Sequence, residues 1–249
     1  MGSPSTNIIL FGETGVGKSS VINLIAGRVV AAVSPDAMGC TMSSHRHEFD
    51  VDGRKFRIWD TVGLEEPEMG VNGYLAAIVG ALELIQQLSQ QGGVDLLVFC
   101  MRGNRVTATT QSNYRLFYEV LCQSEVPIAL VITHLEREHV MEEWWSRNVK
   151  SIEKYGIKSA GHACVTGLPG HAQYGQSKIA IKELLTACNR QGKYTMPPEA
   201  WFVNFLRLFG MFAPPKDLKG KKLQETLIKR CRLEQTLAEE LAKKLEKQA

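Results

Sequence analysis

Gly12, Glu13, Thr14, Gly15, Val16, Gly17, Lys18 and Ser19, with Ser20 behind them, follow the pattern G-x-x-x-x-G-K-[ST]. Such a run is built to hold a chain of phosphates. Its glycines let successive backbone N–H groups turn inward around the anion. A helix starting at its end adds a partial positive charge. Lys18 is then placed for the β- and γ-phosphates, and the Ser19 hydroxyl is a ligand for Mg²⁺.

Four further sites complete a nucleotide-handling set. Asp60-Thr-Val-Gly63 closes an apolar run. Its carboxylate can hold Mg²⁺, and the Gly63 N–H can meet a γ-phosphate because no Cβ blocks the approach. Thr41, in Gly39-Cys-Thr-Met42, lies between the two motifs. Its hydroxyl suits Mg²⁺ and its N–H can sense the γ-phosphate, the basis of an order–disorder switch; Ser43 and Ser44 compete for the role. Thr133, His134 and Glu136 close another apolar run. The Glu136 carboxylate can accept two N–H groups from guanine, a donor pair adenine lacks, and His134 can lie against the ring. Thr166-Gly167 follows the last apolar run and can reach guanine O6 through a backbone N–H.

These groups need a scaffold that brings the ends of several apolar runs to one edge. The periodicity predicts strands over 7–11, 45–51, 56–59, 94–101, 127–133 and 162–166, with a two-residue turn at Asp52-Gly53. It predicts helices over 19–26, 74–91, 111–123, 140–155 and 177–191. Strands alternating with helices imply an α/β fold with a mostly parallel six-stranded sheet covered on both faces, its one antiparallel strand at the edge. The expected domain covers 7–192. A second segment, 198–249, follows the Thr195-Met-Pro-Pro198 break.

Composition narrows the class. The chain has 249 residues, 44% hydrophobic and 22% charged, which argues against collagen-like and wholly disordered classes; its net charge of +3 is too small by itself to imply a nucleic-acid partner, and none is expected. The charge is uneven: 216–249 carry ten basic and six acidic residues, leaving the body near neutral. The six cysteines form no C-x-x-C pair, so a reducing, cytoplasmic setting is expected without disulfides or a zinc site. The opening residues lead straight into a strand, and no targeting leader is expected. The aromatic run 201–212 is too short to span a bilayer. It either packs on the domain or serves as an interfacial or dimer contact. Beyond it, Leu223, Leu227, Cys231, Leu237, Leu241 and Leu245 fall on one helical face. A basic amphipathic helix there leaves open a protein partner or peripheral membrane attachment.

The order of motifs resembles the translation-factor-related P-loop GTPases over roughly residues 7–190. Within them the septin-like branch, including the AIG1-type immunity-associated and chloroplast outer-envelope import GTPases, is the nearest look. The likeness rests on G-E-T-G-V-G-K-S-S, the G-C-T loop, W-D-T-V-G-L, T-H-L-E and Gly103-Asn-Arg-Val-Thr107. The chain is also similar to fungal G-domain proteins. The resemblance implies a P-loop GTPase fold with a C-terminal helical extension, bound GTP or GDP, and Mg²⁺. It also implies a switch whose catalytic set is Lys18, Thr41, Gly63 and Arg105.

Two departures qualify the activity. His134 stands where the usual guanine signature has Lys, as in the AIG1 and import branch, and Glu136 stands where it has Asp. Leu64 stands where Ras-like proteins place a water-orienting Gln, and it has no group to orient water. Slow hydrolysis by a monomer is expected. By resemblance, Arg105 corresponds to an arginine that crosses a nucleotide-facing homodimer interface; Arg102 and Arg46 are the runners-up, then His45, His47 and Ser43. A terminal helix folding back on the switches is a further implication. The rival readings are a GTP-gated scaffold with very slow hydrolysis and an ATP-using P-loop kinase.

Overall fold

A computed structural model describes residues 5–31, 45–51, 53–61, 70–104, 106–188 and 193–196, and positions 221, 224, 225, 228, 235, 239, 242 and 243. Thr41, Ser43, Ser44, Gly63, Leu64, Arg105, the 201–212 run and the leucines from 223 to 245 lie outside the described residues.

Among the described residues six strands form one sheet: β1 (Thr6–Phe11), β2 (His45–Val51), β3 (Arg54–Asp60), β4 (Leu96–Arg102), β5 (Ile128–Thr133) and β6 (Gly161–Cys164). Their order is β2-β3-β1-β4-β5-β6. β1, β3, β4, β5 and β6 run parallel, and only β2 pairs antiparallel, opposite β3 from His45↔Asp60 to Val51↔Arg54. The helices are α1 (Lys18–Ala26), α2 (Gly70–Gln90), α3 (Ala108–Tyr114), α4 (Met141–Lys154) and α5 (Tyr174–Cys188).

The central strands are apolar on both sides because both sides are covered. Ile8 and Leu10 face one core with Val131, Ala129 and the inner faces of α1 and α5. Ile9 and Phe11 face the other, with Leu130, Ile132 and residues of α2 and α4. Phe11 stacks on Phe99 at 4.7 Å and on Phe117 at 4.4 Å between ring centres, which stiffens the sheet beneath the phosphate loop.

The elements match the expected ones, with shifts at the ends. The helix expected from 111 starts at Ala108, because Thr107 caps it through a reciprocal pair with Thr110 that apolar periodicity does not register. That helix continues as a widened π-type stretch, Arg115–Leu121, closed by the Cys122 N–H on the Phe117 carbonyl at 3.1 Å. The strand expected from 94 begins at Leu96; Val94 pairs singly with Tyr194. Met196 is buried in the same core, so 194–196 pack against the sheet domain. Ala242 is buried in that core too, and Ile228 packs on it.

Candidate nucleotide-binding site

Parallel strands deliver their C-terminal ends to one edge, and the residues singled out by type lie in the loops there. The phosphate loop leaves β1 at Gly12. A Cβ on Gly12 would lie 2.3 Å from the Cys100 carbonyl oxygen and 3.1 Å from Val16 Cγ2, so only glycine allows the loop to press against β4. The backbone there is also at φ +149°. Gly17 precedes the first turn of α1, which starts with Lys18 and Ser19.

Lys18 Nζ donates to the carbonyls of Gly12 at 3.1 Å and Glu13 at 3.0 Å. An ammonium has three N–H donors, so one remains for a phosphate. Burial lowers the Lys18 pKa from its ordinary value, while Asp60, Cys100 and Glu13 nearby favour its charged form. Asp60 ends β3 beside β1, in register with Leu10. The next residue, Thr61, is anchored to the Leu10 carbonyl through its N–H and its hydroxyl, each at 3.0 Å. Ser19 and Asp60 thus offer two oxygen ligands. Among the described residues no group of three or more His, Cys, Asp or Glu side chains is arranged to hold a metal alone. That donor set fits Mg²⁺, which keeps few protein ligands when phosphates and water complete its shell.

The base side is built from side chains. The Thr166 hydroxyl donates to Glu136 Oε1 at 3.2 Å. The Thr166 N–H is already given to Ser177 Oγ at 3.0 Å, and Thr166 Oγ1 accepts from the Leu168 N–H at 3.3 Å. Within Thr166-Gly167 it is therefore the Gly167 N–H that remains open for a base oxygen. A Cβ on Gly167 would stand 2.6 Å from Ser20 Cβ, so glycine lets this loop close onto α1 behind Ser19.

The two halves are tied together. Thr133 Oγ1 donates to the Val16 carbonyl of the phosphate loop at 2.6 Å. His134 Nδ1 lies 3.0 Å from Thr133 Oγ1. His134 holds a left-handed φ of +59°, uncommon for a non-glycine residue. Its pKa is lowered by burial first and by the Arg102 charge second, with Glu136 opposing.

Arg102 ends β4 exposed, level with Thr133. Arg46 on β2 pairs with Glu48 at 3.5 Å and lies 5.9 Å from the Trp59 ring centre. Between the outer side of the phosphate loop and the start of α3 is a cleft of about 150 Å³, lined by Glu13, Thr14, Arg102, Asn104, Thr107 and Thr110 among others. Thr110 and Ser177 were not singled out by the sequence. The T-x-x-T cap spacing signals the first, and nothing local signals the second.

A family model described as 50S ribosome-binding GTPase matches residues 7–134, just over half of the chain. The chain belongs to this GTPase family. Its G domain is similar to GTPase Der of Campylobacter concisus, 27% identical over 177 residues, covering 70% of this chain and 36% of that protein. It is also similar to the translocase of chloroplast 34 homolog of Chlamydomonas reinhardtii, 32% identical over 109 residues, covering 41% of this chain and 26% of that one. The chain thus spans about a third or less of these relatives' lengths. The fold is shared with Arabidopsis thaliana Toc33 in complex with GDP and Mg²⁺ (TM-score 0.52, 20% identity, 78% of this chain and 87% of that one). It is shared too with Era in complex with MgGDPNP and nucleotides 1506–1542 of 16S ribosomal RNA (TM-score 0.54, 15% identity, 97% and 89%). The six-stranded α/β GTPase fold expected from the sequence is the one observed.

Proposed function

We propose that this G domain is a Mg²⁺-dependent switch that hydrolyses GTP to GDP and phosphate, with turnover raised when two copies meet across the nucleotide face. The observation that carries the reading is the joining of two half-sites. Lys18 and the phosphate loop are hydrogen-bonded through Thr133 to the loop that holds Glu136. One rigid edge can then grip phosphates and base together. Lys18, the N-terminus of α1 and the Gly63 N–H hold the phosphates. Glu136 and Gly167 read guanine. Ser19, Asp60 and Thr41 would hold Mg²⁺, which neutralises charge on the β- and γ-phosphates when bound. Water attacks the γ-phosphorus and the bond to the bridging oxygen breaks, leaving GDP and inorganic phosphate.

The dimer rests on three supports. Leu64 has no group to orient water. Arg105 stands in the Gly103-Asn-Arg-Val-Thr107 stretch that carries part of the family likeness. Toc33, whose fold this chain shares, has an arginine-to-alanine variant described as dimerisation-deficient. His134 and the chloroplast-translocase relative support the import-like and AIG1-type branch, beside the Der relatives. We further read 7–192 as the G domain and 198–249 as an appendage whose basic helix meets a protein or membrane surface. The setting is reducing and cytoplasmic, with nucleotide and a second copy as partners and no nucleic acid. The deciding experiment is competition between GTP and ATP for purified protein, with Mg²⁺ and with a chelator. Equal competition by ATP overturns the guanine reading. Failure of both nucleotides to bind overturns the assignment of the site.

A further inference from the structure

Glu13 is the second residue of the phosphate loop, and its side chain reaches the start of α3. Glu13 Oε1 accepts from the Thr107 hydroxyl at 2.6 Å and from the Thr110 hydroxyl at 2.5 Å. The partners are 94 and 97 residues away in the chain. Thr107 and Thr110 are the reciprocal cap that starts α3. The carboxylate therefore joins both hydroxyls of the cap at the start of α3. Its own backbone carbonyl meanwhile accepts from Lys18 Nζ at 3.0 Å. One residue touches both the phosphate-binding lysine and the start of α3.

The stretch before α3 is pinned at its other end as well. The Gly103 N–H donates to the Thr133 carbonyl at 2.8 Å, and the Asn104 N–H to the Arg102 carbonyl at 2.7 Å. Val106 packs on the core. Gly103 is thus tied to the end of β5, and Thr107 to the phosphate loop. In the sequence, Arg105 lies between these two anchors.

We propose that Glu13 is a positioning residue for hydrolysis: its carboxylate locks Thr107 and the start of α3 to the phosphate loop, so that what happens at the phosphates sets the placement of the turn before α3. The inference deepens the reading of the site as a GTP-hydrolysing centre and rests on it. Glycine or alanine at this position would leave the nucleotide-facing backbone intact and remove only the lock. The side chain serves the chemical step, whereas the loop's N–H groups and Lys18 serve binding.

The test compares Glu13→Ala, Glu13→Gln and Thr107→Val with Arg105→Ala in the full chain. Three quantities are read: GTP affinity by calorimetry, turnover per site at high protein concentration, and amide hydrogen exchange of 103–110 with GDP and with a non-hydrolysable GTP analogue. Glu13→Ala should bind GTP within about 3-fold of wild type, lose turnover by about 10-fold or more, and exchange faster over 103–110. Glu13→Gln keeps an acceptor oxygen for both hydroxyls and should recover most of the turnover. Thr107→Val should move in the same direction as Glu13→Ala. Adding Arg105→Ala to Glu13→Ala should lower turnover no further than Arg105→Ala alone.

If Glu13→Ala turns over like wild type while Arg105→Ala is impaired, the positioning role is overturned and the arginine reading stands. If Glu13→Ala is impaired with fast exchange while Arg105→Ala is normal, the arginine reading fails and the lock stands, acting through another residue of 103–107. A loss of GTP affinity that matches the loss of turnover overturns the proposal by making Glu13 a plain binding residue.

Discussion

The phosphate loop and the base loop sit at the same edge of the sheet but are held in different ways. At the phosphate loop the working groups are backbone: glycine conformations, N–H groups, and the Gly12 and Glu13 carbonyls that fix Lys18. At the base loop they are side chains, with Glu136 steadied by Thr166, whose backbone is steadied by Ser177 of α5. The first is a local device carried by eight consecutive residues. The second is assembled from three separate elements. A backbone-held site fails when sterics or charge are altered, and a side-chain-held site loses selectivity in smaller steps.

The largest effects are therefore expected at the phosphate loop. Gly12→Ala places a methyl against the Cys100 carbonyl, a backbone atom that cannot move without shifting β4. It should lower the free energy of unfolding by about 2–4 kcal/mol and abolish nucleotide binding. Urea denaturation and calorimetry check this, and an unchanged midpoint would remove Gly12 from its packing role. Lys18→Ala deletes a charged donor already oriented by two carbonyls. It should weaken GTP·Mg²⁺ binding by about 3 kcal/mol, or roughly 100-fold. Retention of wild-type affinity would show that the loop does not grip phosphate through this ammonium.

Glu136→Ala should erase preference for guanine over other bases by about 2–3 kcal/mol if both donors meet the carboxylate. Competition with ITP, which lacks the exocyclic amine, sharpens the measurement: wild type should discriminate against it and the variant should not. Thr166→Val removes only the hydroxyl at 3.2 Å from Glu136. Its effect on the same selectivity should be about 1 kcal/mol. A loss as large as that of Glu136→Ala would mean that Thr166 does more than steady the carboxylate.

The smallest effect concerns protons. The His134 ring is held below the ordinary imidazole pKa, by burial first and then by Arg102. The folded state thus disfavours the protonated ring. This contribution to stability is complete above the ordinary imidazole pKa and is lost as pH falls from there toward the lowered value. Proton NMR of the ring should show a midpoint below that of a free imidazole, and Arg102→Gln should move it upward. A midpoint that ignores Arg102 would leave burial as the sole cause.

The same contrast explains what could be read in advance. The phosphate loop was legible because its pattern, its strand before and its helix behind are contiguous in the chain. Asp60 and Glu136 were legible because each follows an apolar strand. The start of α3 was misjudged by three residues, since a Thr-Thr cap replaces the apolar period there. Ser177 gave no sign, because its meaning depends on α5 lying beside the loop after β6. The choice of Gly167 over Thr166 as the open N–H needed that same contact.

The sequence by itself determined the parallel six-stranded plan and set the glycine-lysine loop, Asp60 and Glu136 at the ends of its strands. Those depend on short-range features: glycine's missing Cβ, a lysine after a glycine, an acid at the end of an apolar strand. Tertiary structure alone decided the tie from Thr133 to Val16 and the capture of Glu13 by Thr107 and Thr110. Each is a hydrogen bond between groups that are far apart in the chain. No local pattern specifies such a bond, and only the folded sheet brings its partners within 3 Å of one another.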